Sequence, residues 1–548
     1  MCGILLHATT IQNAKKVTND SCLLNERSKP NWWDETAQVI KNRGPDECQE
    51  IIHLPLEGFQ IRLCASVLAL RGEEVVSQPL RTDDGRYMLL WNGEVFHTTL
   101  ANFDLDEHDG VQILDRMQEM LRKGETLATS FASILSSVEG PYAAILIDTV
   151  TGSMCFTRDP IGRRSLLMVR SDNDIVLTSA ASHSLLSTYP DIAELDCKSM
   201  WQVLPGTRFD VQSVPRTLNG EESTILRELR TSIPDGALEA ARSDEVVEEF
   251  RDILSESVRQ RVQHLRYHGS SSVAQIAVLF SGGLDCCTIA LLAHLHLPGH
   301  QPIDLLNVAF QNPRVLAAAE GRNPYDVPDR LTGKQSFQEL QRVAPTRQWN
   351  FVEVNVPFEE YVMSRSTIET LMTPCKSVMD LSIASALYFA SRANTELYNS
   401  TAKVLLSGLG ADELLGGYSR HRQAWQSGGL SNLVQELQMD LDRLPTRNLG
   451  RDDRIISQNG KESRYPFLDR EVIRFLASLP VQNKMNFSLE PGKGDKMVLR
   501  QLAKQLGLDQ TSLLTKRAIQ FGARSAKMEA GDGRIKGHEK LPIFSVKS

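Results

Sequence analysis

The sequence lacks any apolar run approaching the roughly eighteen residues that span a bilayer, which argues against a membrane segment. It also lacks the basic start and long apolar stretch of a signal peptide: the chain opens MCGILLHATT. There is no excess of positive charge. The formal net charge of −8 gives no electrostatic reason to expect a nucleic-acid partner. No CxxC spacing repeats among the nine cysteines, at 2, 22, 48, 64, 155, 197, 286, 287 and 375. An odd, scattered set points to reduced thiols rather than a disulfide framework or a zinc site, and with the missing signal it places the chain in the cytoplasm. Internal repeats and low-complexity tracts are absent as well.

What is present changes texture along 548 residues, enough for two or three domains. Residues 2–215 hold short alternating or apolar runs such as FQIRLCASVLAL, YMLLWNGEVF and YAAILID, punctuated by Gly, Asp and Asn; they read as β-rich layers with a few helices. DGVQILDRMQEMLRKG is a helix candidate among them. Residues 216–245 are polar and irregular, a linker. From 246 to 548 buried-type strands (IAVLF, IDLLNVAF, FVEVNV, KVLLSG) alternate with helical stretches, the pattern of a doubly wound parallel sheet. Residues 311–335 read as a long loop, of the kind that often serves as a lid.

IAVLFSGGLDCC (276–287) is strand, glycine turn, then helix. Exposed N–H groups at such a helix start cradle anions, although neither GK[ST] nor GxGxxG is there. Asp285 would repel a phosphate unless a metal bridged the two, so the loop predicts Mg²⁺. A second acid-bearing glycine loop, SGLGADELLGG (407–417), follows another strand candidate. In a doubly wound sheet both loops open at the carboxyl edge, where ligands bind.

At the other end, Cys2 follows the initiator Met. Removal of that Met puts an α-amine, with an unperturbed pKa of about 7.7–8.0, beside the thiol, so one residue supplies nucleophile and base. Downstream come NRGPDE (42–47), LRG (70–72), QPL (78–80), WNGE (91–94), HDG (108–110) and RDPIGRRSL (158–166), in the order of class II glutamine amidotransferases. With SGGLD, GADE and PFLD, the whole from Cys2 to about Lys527 resembles the glutamine-dependent asparagine synthetases, in detail the eukaryotic asparagine synthetase domain-containing proteins.

The resemblance implies an N-terminal nucleophile (Ntn) glutaminase sandwich over 2–215 and an ATP-pyrophosphatase domain, adenine nucleotide alpha hydrolase-like, over 246–548. It assigns the nucleophile to Cys2, oxyanion donors to Asn92 and Gly93, and glutamine contacts to Arg71, Asn92, Glu94 and Asp109. For ATP it implies Leu279, Ser281, Gly282, Gly283, Asp285, Val308, Ser407 and Gly408, with Asp285 and Asp412 on Mg²⁺. Glu462 and Arg464 would sit near the acidic substrate, while Asp469 equally suits a helix N-cap. The implied substrates are glutamine, ATP and aspartate, with neither nucleic acid nor membrane involved.

Three departures stand out. Leu409 occupies the position of the family's glutamate, a base and proton shuttle; Cys286 stands for a serine; and the family lysine column falls on Ala518, with Lys516 and Arg517 just before it; one of these could reach in, and Lys516 is taken as the catalytic candidate. Two further readings therefore stand beside asparagine synthesis: a catalytically weakened homologue with a binding or regulatory role, and an amidotransferase with another acceptor. Among weaker signals, His294 and His296 read as structural, Cys286–Cys287 as buried free thiols, and Trp32–Trp33 as a surface insertion.

Overall fold

The computed structural model describes residues 2–10, 31–56, 58–204, 209–218, 221–222, 243–266, 273–316, 321, 323–526, 528 and 537–541. Most of the expected linker, 216–245, lies outside these described residues. The chain forms two compact units. The first comprises Met1–Ile225, His264–Arg266 and Leu444–Gly460; the second comprises Leu226–Gln263, Tyr267–Arg443 and Lys461–Ser548.

In the first unit the strands of the two large sheets are β1 (Gly3–Thr10), β2 (Glu47–Leu56), β3 (Phe59–Val67), β4 (Leu80–Arg81), β5 (Tyr87–Gly93), β6 (Tyr142–Asp148), β7 (Met154–Arg158), β8 (Leu167–Arg170), β9 (Asp174–Thr178), β10 (Ala193–Glu194), β11 (Met200–Leu204) and β12 (Asp210–Val214). They build two six-stranded antiparallel sheets, ordered β10-β8-β9-β1-β3-β2 and β12-β11-β7-β6-β5-β4. Strand periodicity sends alternate residues to opposite faces. Ile4, Leu6, Ile61, Leu63, Met88, Leu90, Ile145 and Ile147 thus share one core, in which each large aliphatic contributes about 1.5–3 kcal/mol. The alternate set faces helices. Leu5, Cys64 and Val176 pack with Trp33 and Ile40 of α1 (Trp32–Arg43), while Leu89, Trp91 and Leu146 pack with Ile113 and Met117 of α2 (Asp109–Arg122). Helix, sheet, sheet, helix is the layering of the expected sandwich.

Trp32–Trp33 is not a surface insertion: Asn31 caps α1, and Trp33 and Ile40, seven residues apart, share its buried face. The segment Leu444–Gly460 joins this unit through charge. Asp453 accepts from Arg43 at 2.9 Å and lies 3.6 Å from Arg164, and Arg454 pairs with Glu194.

The second unit is built on five parallel strands, β13 (Ile276–Leu279), β14 (Ile303–Phe310), β15 (Trp349–Val356), β16 (Val404–Leu406) and β17 (Glu462–Arg464), ordered β15-β14-β13-β16-β17. The order reverses between β13 and β16, so the loops after these two strands open side by side at the switch point. The helices of this unit include α3 (Ser243–Val262), α4 (Leu284–His296), α5 (Pro328–Val343), α6 (Val378–Arg392), α7 (Ala411–Leu415) and, after the last strand, α8 (Arg470–Ser478) and α9 (Met497–Gln505). The reading of 311–335 as loop is corrected at Pro313–Leu316, a short helical turn, and from Pro328 onward, where proline at the first helical position starts α5. Residues 317–320 and 322 lie outside the described set.

Candidate functional site

At the N-terminal nucleophile, β1 and β5 bring together residues ninety positions apart. The Cys2 backbone N–H donates to Asn92 Oδ1 at 3.0 Å, leaving the buried Asn92 Nδ2 without a partner among the described residues. A donor held ready in this way suits an oxyanion that is not yet there. Gly93 ends β5 where a Cβ would fall 2.6 Å from that of Tyr142. The Cys2 thiol is pushed up by burial, an effect opposed by the N-terminal charge and a backbone donor at Leu68.

Arg71 forms a buried ion pair with Glu94 at 2.6 Å and donates to the Leu105 carbonyl at 3.1 Å. Asp109 accepts from Trp91 Nε1, the Val95 N–H and the Gly110 N–H at 3.1, 2.9 and 2.8 Å, so it also orders the backbone after the Asn92–Gly93 pair. Gln78 was quoted in its QPL motif without a role; its amide lies 3.1 Å from Cys2 Sγ.

In the second unit a cavity of about 160 Å³ is lined by Leu279, Ser281, Gly283, Asp285, Val308, Ser407, Gly408 and Lys516. Gly282 does not line it but shapes its floor. Its φ is +79°, and a Cβ there would lie 2.6 Å from the Gly333 backbone, so only glycine permits the loop to pack on α5. Across the switch point, a Cβ on Gly408 would come within 2.9 Å of Asp285, so the two loops touch.

The two carboxylates assigned to metal meet on one ammonium group. Lys496 Nζ lies 2.7 and 2.6 Å from the two oxygens of Asp285 and 2.6 Å from Asp412 Oδ1; Lys516 Nζ pairs with Asp412 Oδ2. Burial pushes the Asp412 carboxyl up, but the two lysines outweigh it and hold the group well below the usual carboxylate range. Burial lowers Lys496, and the two aspartates outweigh that and raise it. Lys496 escaped the reading of the sequence. It stands at the start of α9 in a left-handed conformation, φ 52° and ψ 35°, which costs a non-glycine residue about 1–3 kcal/mol. The glycine-rich PGKGDK before an amphipathic helix was its only signal.

Asp329, in the first turn of α5, was also missed. It lines the cavity beside Arg517, whose guanidinium lies 3.7 Å away; burial pushes its carboxyl up to about 7, against the opposing charges of Arg517 and Lys516. Leu409 is half-buried in its loop. Glu462 and Arg464 pair with each other at 2.6 Å, fully buried in β17. Asp469 caps α8 and binds Arg261 at 3.0 Å. Cys286 and Cys287 are free and buried, and His294 and His296 are held by Arg347 and Ser255.

Two family models match the chain. The asparagine synthase family model matches residues 249–433 and 426–534, and the glutamine amidotransferase domain model matches 1–221. This chain belongs to the asparagine synthase family. It is 35% identical to asparagine synthetase domain-containing protein 1 of Mus musculus, over 90% of this chain and 94% of the relative, and 34% identical to that of Homo sapiens, over 89% and 91%. An asparagine synthetase domain-containing protein of Saccharomyces cerevisiae is 34% identical over 99% of both chains. Those names record a domain and state no activity. A solved glutamine phosphoribosylpyrophosphate amidotransferase of B. subtilis overlaps at 13% identity, covering 58% of this chain and 69% of its own, with a TM-score of 0.27, too low to bear on the argument. No described helix is long and apolar enough to cross a membrane.

Proposed function

We propose that the chain is a glutamine-dependent amidotransferase that activates a carboxylate, most simply aspartate, with ATP and Mg²⁺. The observation that carries this reading is the convergence of Asp285 and Asp412 at the switch point beside a glycine cradle. The buried Asp412 and the part-exposed Asp285 share the Lys496 ammonium, and a divalent cation carried on phosphate would meet both carboxylates there. Among the described residues no cluster of three or more ligating side chains occurs. That suits Mg²⁺ carried on nucleotide phosphates, which takes one or two carboxylates from a protein, and it does not suit a permanently caged ion. Bound there, Mg²⁺ would neutralise phosphate charge.

The chain's own residues do the rest. Backbone donors of Ser281–Gly283 hold phosphate oxygens at the start of α4, while Leu279 and Val308 cover the base. Lys516, part-exposed at the cavity, offsets charge on the adenylate or the departing pyrophosphate. In the first unit the Cys2 thiolate attacks the glutamine γ-carbonyl; its proton passes through the α-amine to the leaving ammonia, and water then cleaves the thioester. Asn92 Nδ2 and the Gly93 N–H receive the oxyanion, and Arg71 takes the ligand carboxylate by exchanging it for Glu94.

Glutamine hydrolysis that disappears in Cys2→Ala tests the first half, and pyrophosphate release dependent on aspartate tests the second. Leu409 favours a second reading: with no base at that position, the acceptor differs from aspartate or the synthetase half is weakened. An acceptor screen that yields pyrophosphate only with another carboxylate would select the former.

A further inference from the structure

We infer that Gln78 is a positioning residue for the nucleophile: its carboxamide seats the Cys2 sulfur and stabilises it as a thiolate. The inference rests on the reading of Cys2 as the nucleophile.

Gln78 lies just before β4, is 1% exposed, and makes three contacts. The Trp91 N–H donates to its Oε1 at 2.8 Å, its Nε2 donates to the Trp91 carbonyl at 2.8 Å, and the same Nε2 donates to Cys2 Sγ at 3.1 Å. These partners fix the amide's orientation. Rotated by half a turn, Nε2 would face the Trp91 N–H and Oε1 would face the Trp91 carbonyl, donor against donor and acceptor against acceptor. A primary amide has two N–H donors. One is consumed by the Trp91 carbonyl, and the other goes to the sulfur.

Consecutive residues of β5 therefore hold the two ends of Cys2. Asn92 takes its backbone N–H, and Trp91, through Gln78, fixes its sulfur. The strand register that aims the oxyanion donor also aims the nucleophile. The need for such a seat follows from burial: Cys2 is 7% exposed, and burial disfavours its thiolate. An N–H bond to sulfur strengthens when the sulfur is charged and so favours the reactive form. The fixed Gln78 dipole does this without adding a titrating group.

The test is the pH profile of Cys2 alkylation by iodoacetamide, followed by peptide mass on protein whose first residue is Cys2, in parent, Gln78→Leu and Gln78→Glu. Gln78→Glu keeps the acceptor for the Trp91 N–H and loses the donor to sulfur, so it remains informative where the leucine disturbs packing. The alkylation midpoint should rise by about one pH unit or more in both variants, further in Gln78→Glu. For glutamine hydrolysis, kcat should fall about tenfold or more, with KM within about threefold, because the sulfur and not the substrate loses its partner. A midpoint within about 0.3 unit of the parent in both variants would overturn the inference. The alkylation profile reads the sulfur whether or not glutamine is the substrate. A chain that shows the shift yet hydrolyses no glutamine upholds the role of Gln78 and overturns only the glutaminase reading.

Discussion

Replacing Lys496 by methionine removes one ammonium and keeps an unbranched stem of similar length. The side chain is 3% exposed, and its Nζ is the shared partner of Asp285 and Asp412. Truncating one partner of a buried ion pair costs about 3–5 kcal/mol, because the remaining charge stays desolvated. Two features move this case to the lower end. Asp285 retains 19% exposure and gains water, and Lys516 still neutralises Asp412. The expected loss at pH 7 is therefore about 3 kcal/mol. Methionine relieves none of the left-handed backbone strain, so no gain offsets the loss.

The pH dependence separates this cause from lost packing. In the parent the Asp412 carboxyl is held below its unfolded value by the two lysines, against burial. That contribution is present above about pH 3.9 and disappears as pH falls through the depressed folded value. In the variant only Lys516 offsets the burial of Asp412, so that carboxyl takes up a proton more readily and the variant gains on the parent as pH falls from 7 toward 5. The gap between the two proteins should narrow over that range. Chemical denaturation followed by circular dichroism at several pH values measures it. Mg²⁺ should restore part of the loss, since a cation that binds only the folded state stabilises it by mass action. A loss below about 1 kcal/mol with a gap constant in pH would refute the account.

Asp329→Asn should show the opposite slope. Its carboxyl is raised to about 7 by burial, so ionisation destabilises the fold, and the parent loses stability as pH rises from about 4 through 7. The asparagine variant should lack that component, and denaturation midpoints at pH 5 and pH 8 will show whether it does. Gly282→Ala places a Cβ 2.6 Å from the Gly333 backbone at φ +79°; adenine-nucleotide binding by calorimetry should be lost, with a destabilisation above about 1 kcal/mol. Under the proposed reading, Leu409→Glu supplies a carboxylate to the loop after β16, and aspartate-dependent pyrophosphate release should rise; an unchanged rate would locate the limitation elsewhere.

The architecture was legible where physics is local. Short alternating and apolar runs along β1, β3 and β5 marked β-rich layers, and continuous apolar runs in β13 and β14 marked a sheet covered on both faces. The two glycine loops could be placed together because a doubly wound sheet has one switch point. What escaped depends on partners distant in sequence. Lys496 lies 211 positions from Asp285, in a segment whose helix pattern gives no hint that its first side chain turns inward. Asp453, 410 positions from Arg43, sits in DDR text that resembles any exposed helix start, yet it is wholly buried between arginines. Trp33 was misread because adjacent aromatics after a proline suggest exposure; helical spacing to Ile40 decides otherwise.

The missed lysine also changes the weight of the leucine. With Leu409 alone in view, the loop after β16 has lost its base and the chain reads as a damaged enzyme. The structure places two lysines on a carboxylate of the same loop. Asp412 remains a buried carboxylate, Lys496 accepts a strained backbone to reach it, and Asp285 meets it across the switch point. Under the proposed reading, charged groups beside the glycine loop with leucine at position 409 fit a site that handles a nucleotide and differs in what it joins to it. The first discriminating measurement is therefore nucleotide and Mg²⁺ binding in the parent chain. Binding without aspartate-dependent pyrophosphate favours a changed acceptor, whereas failure to bind nucleotide returns the weakened homologue to the front.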